Sequence, residues 1–195
     1  AASYVPKHQL DDELKDTLGV VLAAAEKRQS HTRVMECMTK NHVLFSLEND
    51  PILIPALVGY LQDSATYMCL CDETDRTRIG VALEEALSNS IYHGNLEVSS
   101  QLRESDDHRY HDLIAARRHE PPYCKRRIKV EASISSERAE FVIEDEGAGF
   151  NVENLPDPTD PANLDRVSGR GVLLMRTFMD EVQFNEKGNR VLPNG

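Results

Sequence analysis

Glu85, Asn89 and His93 recur at i, i+4 and i+8, a spacing that stacks three polar side chains along one stripe of a helix. Ile79, Leu83, Ala86, Leu87 and Ile91 take the opposite face. A carboxylate, a carboxamide and an imidazole in one row can line a cleft, although a solvated helix face has the same pattern. A second group, Asp145-Glu146-Gly147-Ala148-Gly149-Phe150, follows a strand-like run. Glycines at alternate positions let a ligand approach the main chain, and a carboxylate at a strand end can accept a hydrogen bond from a base amino group. Taken alone, this stretch also fits an ordinary tight turn. The third group is Ser168-Gly169-Arg170-Gly171, ahead of the apolar run Val172 to Met179. Glycines before a helix leave its first amide donors open to an anion, and here Arg170 adds a positive charge; phosphate is the natural guest. Neither the Walker pattern nor the G-x-G-x-x-G of dinucleotide folds is matched.

The elements that must carry these groups can be read along the chain. Leu10, Leu14, Leu18, Val21, Leu22 and Ala25 predict a helix from Gln9 to Arg28. It suits a linker or dimer helix as well as an arm packed on its own domain, and residues 29–41 are polar and unpatterned. His42 to Leu47 reads as a strand, and Asn49-Asp50-Pro51 supplies a cap and first-turn proline for a helix over 51–67. The helix that bears Glu85 runs over 75–93 and stops at Gly94. Residues 95–127 are charged, with one short helix before Pro121-Pro122. Strands over 127–133 and 139–144 form a hairpin, 151–168 with three prolines is a long loop, and 172–179 is a helix. A second hairpin, 182–185 with 189–192, turns at Lys187-Gly188. The domain reading is an arm over 1–41 and a single domain over 42–195.

Composition narrows the classes. At 195 residues the chain has room for one domain and an appendage, and 40% hydrophobic with 28% charged residues describes a globular protein. The longest uncharged apolar run, Ile52 to Leu61, is ten residues and contains Pro55, where a bilayer crossing needs about 20. No membrane partner is expected. An excess of 33 acidic over 22 basic residues, net −11, argues against direct nucleic-acid binding, so phosphate must be gripped locally. Cys37, Cys69, Cys71 and Cys124 lack zinc-site spacing and read as reduced thiols. With no secretory pattern at the first residues, the expected location is cytoplasmic.

Together and in this order, E-x-x-x-N-x-x-x-H-G over 85–94, D-x-G-x-G-F over 145–150 and G-R-G-V-L-L-M over 169–175 resemble the N, G1 and G2 boxes of the GHKL ATPase superfamily. Leu83 to Asn89 and Phe178 to Val182 are similar to the anti-sigma-factor serine/threonine kinases. The resemblance covers about residues 42–193. It implies the Bergerat fold, an α+β two-layer sandwich whose mixed β-sheet carries helices on one face, with Mg-ATP as cofactor. By matching position it implies Asn89 as the Mg2+ ligand, Asp145 as the partner of the adenine amino group, and Glu85 as general base. It also implies Gly147, Gly149, Gly169 and Gly171 shaping the cleft, a lid over 151–168, and His93, Arg166 and Arg170 facing phosphates.

The implied activity is transfer of a phosphoryl group to a Ser or Thr of a small STAS-like antagonist protein, with a sigma factor as a second partner. Two alternatives remain open at this stage. One is an ATP-gated binding module without turnover; the other is a histidine-kinase catalytic domain, for which His31 is the upstream acceptor candidate. Residues 95–127 are longer than the family's short connection and suit a partner-docking insert. The N-terminal arm resembles connectors behind receiver or sensor domains, and a homodimer is compatible with it.

Overall fold

The computed structural model describes residues 10–105, 107–150 and 170–194. The chain divides into two compact units, Ala1–Met38 and Thr39–Gly195. The first holds helix α1, Leu10–Met35. It runs past the expected end because Gln29 to Met35 contains no glycine or proline, so the ladder of i→i−4 bonds has nothing to stop it. Leu18, Val21 and Leu22 of its apolar stripe are exposed.

The second unit follows the order β1 (Lys40–Leu47), α2 (Leu53–Tyr67), α3 (Glu73–Asn89), a π turn (Ser90–Asn95), α4 (Ser100–Ser105) and α5 (Asp107–Arg117). A 3-10 turn at Tyr123–Lys125 leads to β2 (Ile128–Ser135) and β3 (Ala139–Glu144); then come α6 (Arg170–Phe178), β4 (Glu181–Phe184) and β5 (Arg190–Asn194). Five strands form one sheet in the order β1-β2-β3-β5-β4.

The α+β layering is as expected, but the sheet is not mixed. All four described pairings are antiparallel. β3 and β4 do run in the same direction, yet β5 comes back between them, pairing Ile143 with Val191 on one side and Phe184 with Val191 on the other. The parallel pair is thereby split into two antiparallel ones.

Along β2 and β3 every second residue is buried, from Ile128, Val130, Ala132 and Ile134 to Ala139, Phe141 and Ile143. That period of two marks one covered face. α2 packs on β2 and α3 on β5, bringing Leu57, Leu61, Leu83 and Leu87 into the core.

Local chemistry sets the helix starts. α2 begins later than Pro51, since Pro51 and Ile52 form a turn in which Asp50 Oδ1 accepts from the Ile52 N–H at 3.2 Å, and Ile52 provides no side-chain cap. α3 begins earlier than Asp75, because Asp72 Oδ1 accepts from the N–H groups of Thr74 and Asp75 at 2.7 and 2.9 Å. Those two bonds hold the Asp72 carboxyl below its usual pKa. At its far end α3 does not stop at a glycine cap. It widens into the π turn, with the Leu96 N–H bonded to the Ile91 carbonyl at 2.9 Å.

Candidate functional site

Widening the helix end lets α3 press on the G1 turn. A Cβ at Gly94 would collide with the Asp145 carboxyl group, and one at Gly147 with the Gly94 carbonyl, so glycine at both positions is what allows the two backbones to meet. Beneath this contact lies a cavity of about 340 Å³, within the range of small-molecule sites. Its wall from α3 presents Glu85 and Asn89, with His93 and Gly94 from the π turn. The sheet supplies Ile143 and Val191 as an apolar floor, and Asp145 stands at the end of β3. Gly149 and Phe150 close one side, while Gly171, Val172 and Met175 of α6 close another.

Asp145 is 7% exposed. Burial pushes its carboxyl pKa up to about 6, against the opposing pull of the Gly147 N–H, which donates to Oδ1 at 2.9 Å, and of the Lys187 and Arg126 charges. A carboxylate held in this way, with lone pairs still open, can accept from an amino group of a planar base lying on the apolar floor.

Glu85 and Asn89 sit one helical turn apart and face α6. A Cβ at Gly171 would meet Glu85 Oε2 at 2.5 Å and Asn89 Nδ2 at 3.1 Å, so the first turn of α6 sits directly on this pair. The first amides of a helix have no carbonyl partner within it and can donate to an anion. His93 Nδ1 lies 2.6 Å from the Val98 carbonyl. A carbonyl only accepts, so Nδ1 carries the hydrogen. Gly149 adopts φ +79° with its amide neighbour Phe150 donating to the Lys187 carbonyl at 3.1 Å, a left-handed turn that binds G1 to the β4–β5 hairpin.

Glu85, Asn89, His93, Asp145, Gly149 and Gly171 therefore share one cavity, and Gly147 lies behind it against Gly94. Arg166, Gly169 and the lid over 151–168 fall outside the described residues, as does the Arg170 side chain; the Arg170 backbone opens α6. Among the described residues no three His, Cys, Asp or Glu side chains gather as a metal group. The Asn89 carboxamide, a neutral oxygen ligand beside a carboxylate, fits a Mg2+ that takes its remaining oxygens from phosphate and water.

Patterning missed Asn95, Asn189 and Ser100. Asn189 Nδ2 donates to the Asp145 carbonyl at 2.8 Å, while the Asn189 carbonyl accepts from the Asp145 N–H at 3.0 Å. Ser100, at the start of α4, brings the 95–127 stretch to the cavity rim. Asn189 reads as the first residue of the last strand, and Ser100 carries no periodic signal. All four cysteines are free, and no described helix is long and apolar enough to cross a membrane.

A family model described as histidine kinase-like ATPase domain matches residues 47–192. The anti-sigma F factor of Clostridium kluyveri, found in two strains, is 28% identical over 131 residues, which are 65% of this chain and 73% of that protein. A crystal structure of the RsbU and RsbW domains of Rv1364c from Mycobacterium tuberculosis aligns with TM-score 0.46 at 12% identity, covering 79% of this chain and 31% of that one. The matched family segment runs from the end of β1 through β5 and takes in every described element that frames the cavity. The chain belongs to the histidine kinase-like ATPase domain family, as the order of its three glycine- and asparagine-bearing boxes implies.

Proposed function

We propose that the chain binds Mg-ATP in this cavity and transfers the γ-phosphoryl group to a Ser or Thr of a small STAS-like antagonist protein in a bacterial switch, with a sigma factor as a further partner. The observation that carries the reading is the meeting of Glu85, Asn89, Asp145 and Gly171 around one 340 Å³ space. The similarity to anti-sigma F factors supports the choice of partner class.

In this reading Asp145 accepts from the adenine amino group, and the floor of Ile143 and Val191 holds the ring by apolar contact. Asn89 offers its carboxamide oxygen to Mg2+, which when bound neutralises triphosphate charge. The first amides of α6, with Arg170, Arg166 and His93, face the phosphates. Glu85 takes the proton of the attacking hydroxyl, whose oxygen bonds to the γ-phosphorus as the bond to the β-phosphate oxygen breaks and ADP leaves. Phosphoryl transfer depends on alignment and charge neutralisation more than on covalent help, so this set suffices. The Thr39–Gly195 unit carries the activity, acting in the cytoplasm.

Two variants test the assignment. Glu85→Ala is expected to lower phosphoryl transfer by about a hundred-fold or more while a fluorescent ATP analogue binds within a few-fold of wild type. Asn89→Ala is expected to abolish the difference in analogue binding with and without Mg2+. Full transfer by Glu85→Ala removes the proposed base, whereas wild-type protein that binds the analogue without transferring phosphate is an ATP-gated binding module.

A further inference from the structure

The first residue of the charged stretch is the most deeply placed polar group near the cavity. Asn95 ends the π turn, is 0% exposed, and has hydrogen bonds in three directions. Its Nδ2 donates to Asn49 Oδ1 at 2.8 Å, its Oδ1 accepts from the Glu146 N–H at 2.8 Å, and its backbone carbonyl accepts from the Arg126 guanidinium at 2.7 Å. Asn49, also buried, gives its own amide hydrogens to the carbonyls of Tyr123 and Arg126 at 2.8 and 3.3 Å. With Asn49 committed as acceptor and Glu146 as donor, the Asn95 amide has a single orientation; the flipped form would set donor against donor. Arg126 is held in turn by the Glu97 carboxylate at 2.8 Å.

These bonds bear on Asp145 from both sides. Gly94, next to Asn95, forms the wall against the Asp145 carboxyl group. Glu146, next to Asp145, is held at its N–H by Asn95 and at its carboxylate by the Arg127 N–H at 2.9 Å. A shift of Asn95 moves the wall and the turn together. We infer that Asn95 is a positioning residue, holding the Asp145 carboxylate at the place where it reads the base; this rests on the adenine-binding role proposed above. A buried carboxamide that served the fold alone would leave base selectivity untouched.

The test is the ratio of affinities for Mg-ATP and Mg-ITP. ITP carries an oxo group where ATP carries the amino group, so a well-placed carboxylate favours ATP. Asn95→Ala is expected to shrink the wild-type ratio by about ten-fold or more, since small misplacements of a reading group are expensive. Ser64→Ala removes a buried hydroxyl from α2 that bonds only to the Tyr60 carbonyl and Asn41; it is expected to lower the melting temperature and leave the ratio unchanged. A folded Asn95→Ala protein with a ratio within two-fold of wild type overturns the inference. Should that variant fail to fold by circular dichroism, Asn49→Ala, which removes the acceptor of Asn95 Nδ2 together with the donors to the Tyr123 and Arg126 carbonyls, must show the same loss of selectivity, and an unchanged ratio there overturns it. Wild-type protein that binds neither nucleotide overturns the reading of the cavity and this inference together.

Discussion

A carboxyl group with a pKa near 6 makes the protein sensitive to mild acid. Because the folded value of Asp145 lies above the ordinary 3.8, its contribution to stability is fully present below about pH 4 and is lost as pH rises through about 6. The shift corresponds to about 3 kcal/mol. Asp145→Asn, which keeps the shape without the charge, is expected to be the more stable protein above pH 6 and to lack this slope, read by urea titration at pH 4, 5, 6 and 7. In the proposed reading nucleotide affinity runs the other way, because an amino group donating to Asp145 prefers the ionised carboxylate. Calorimetric affinity for ATP should weaken as pH falls below about 6, with proton release on binding near that pH. Spacing puts Glu85 and Asn89 on one stripe and Asp145 at a strand end, patterns that a solvated face and an ordinary turn share, and it was the resemblance of the three boxes that joined them in the sequence reading. Asn95 and Asn189 were not legible there, since what marks them is burial and long-range bonding across 51 and 44 positions, which no local pattern records.

α3 is the element on which most of the site depends, and its two ends follow different rules. Its start is a local matter: Asp72 and two amides fix it. Asp72→Ala is expected to lower stability through loss of the cap and to leave ATP-analogue affinity within two-fold, as judged by denaturant melts and titration of the same samples. Its end is tertiary. Gly94 looks like a stop signal, but the helix passes through it as a π turn because contact with Asp145 offers more than a cap would. The same division explains the other elements. β2, β3 and the β4–β5 hairpin were legible from alternation and turn residues. The continuation of α1 to Met35 was not, because the absence of a breaker is a weaker signal than a stripe. The 95–127 stretch was read as one short helix, and it carries α4 and α5.

For the whole molecule, the division at residues 38 and 39 predicts that a chain comprising 39–195 folds alone. It is expected to bind the ATP analogue within about three-fold of the longer chain, with a cooperative melt of its own; loss of binding would assign α1 a part in the site. Layering followed from the sequence, as helices with one apolar face and strands with period two have few other ways to bury both. Strand order did not follow. Which edge receives the last hairpin is decided by how β5 fits between β3 and β4, and hydropathy is silent on it.

That late placement has a consequence for biosynthesis. β5 joins the edge strand β4 to β3, and Asn189 just ahead of it clamps Asp145, so both enter the structure only when translation has passed residue 190. A ribosome-tethered chain stopped at Lys187 already holds Glu85, Asn89 and Asp145 but lacks the strand that ties β4 to β3, and photo-crosslinking with an azido-ATP should label it only once that strand has emerged.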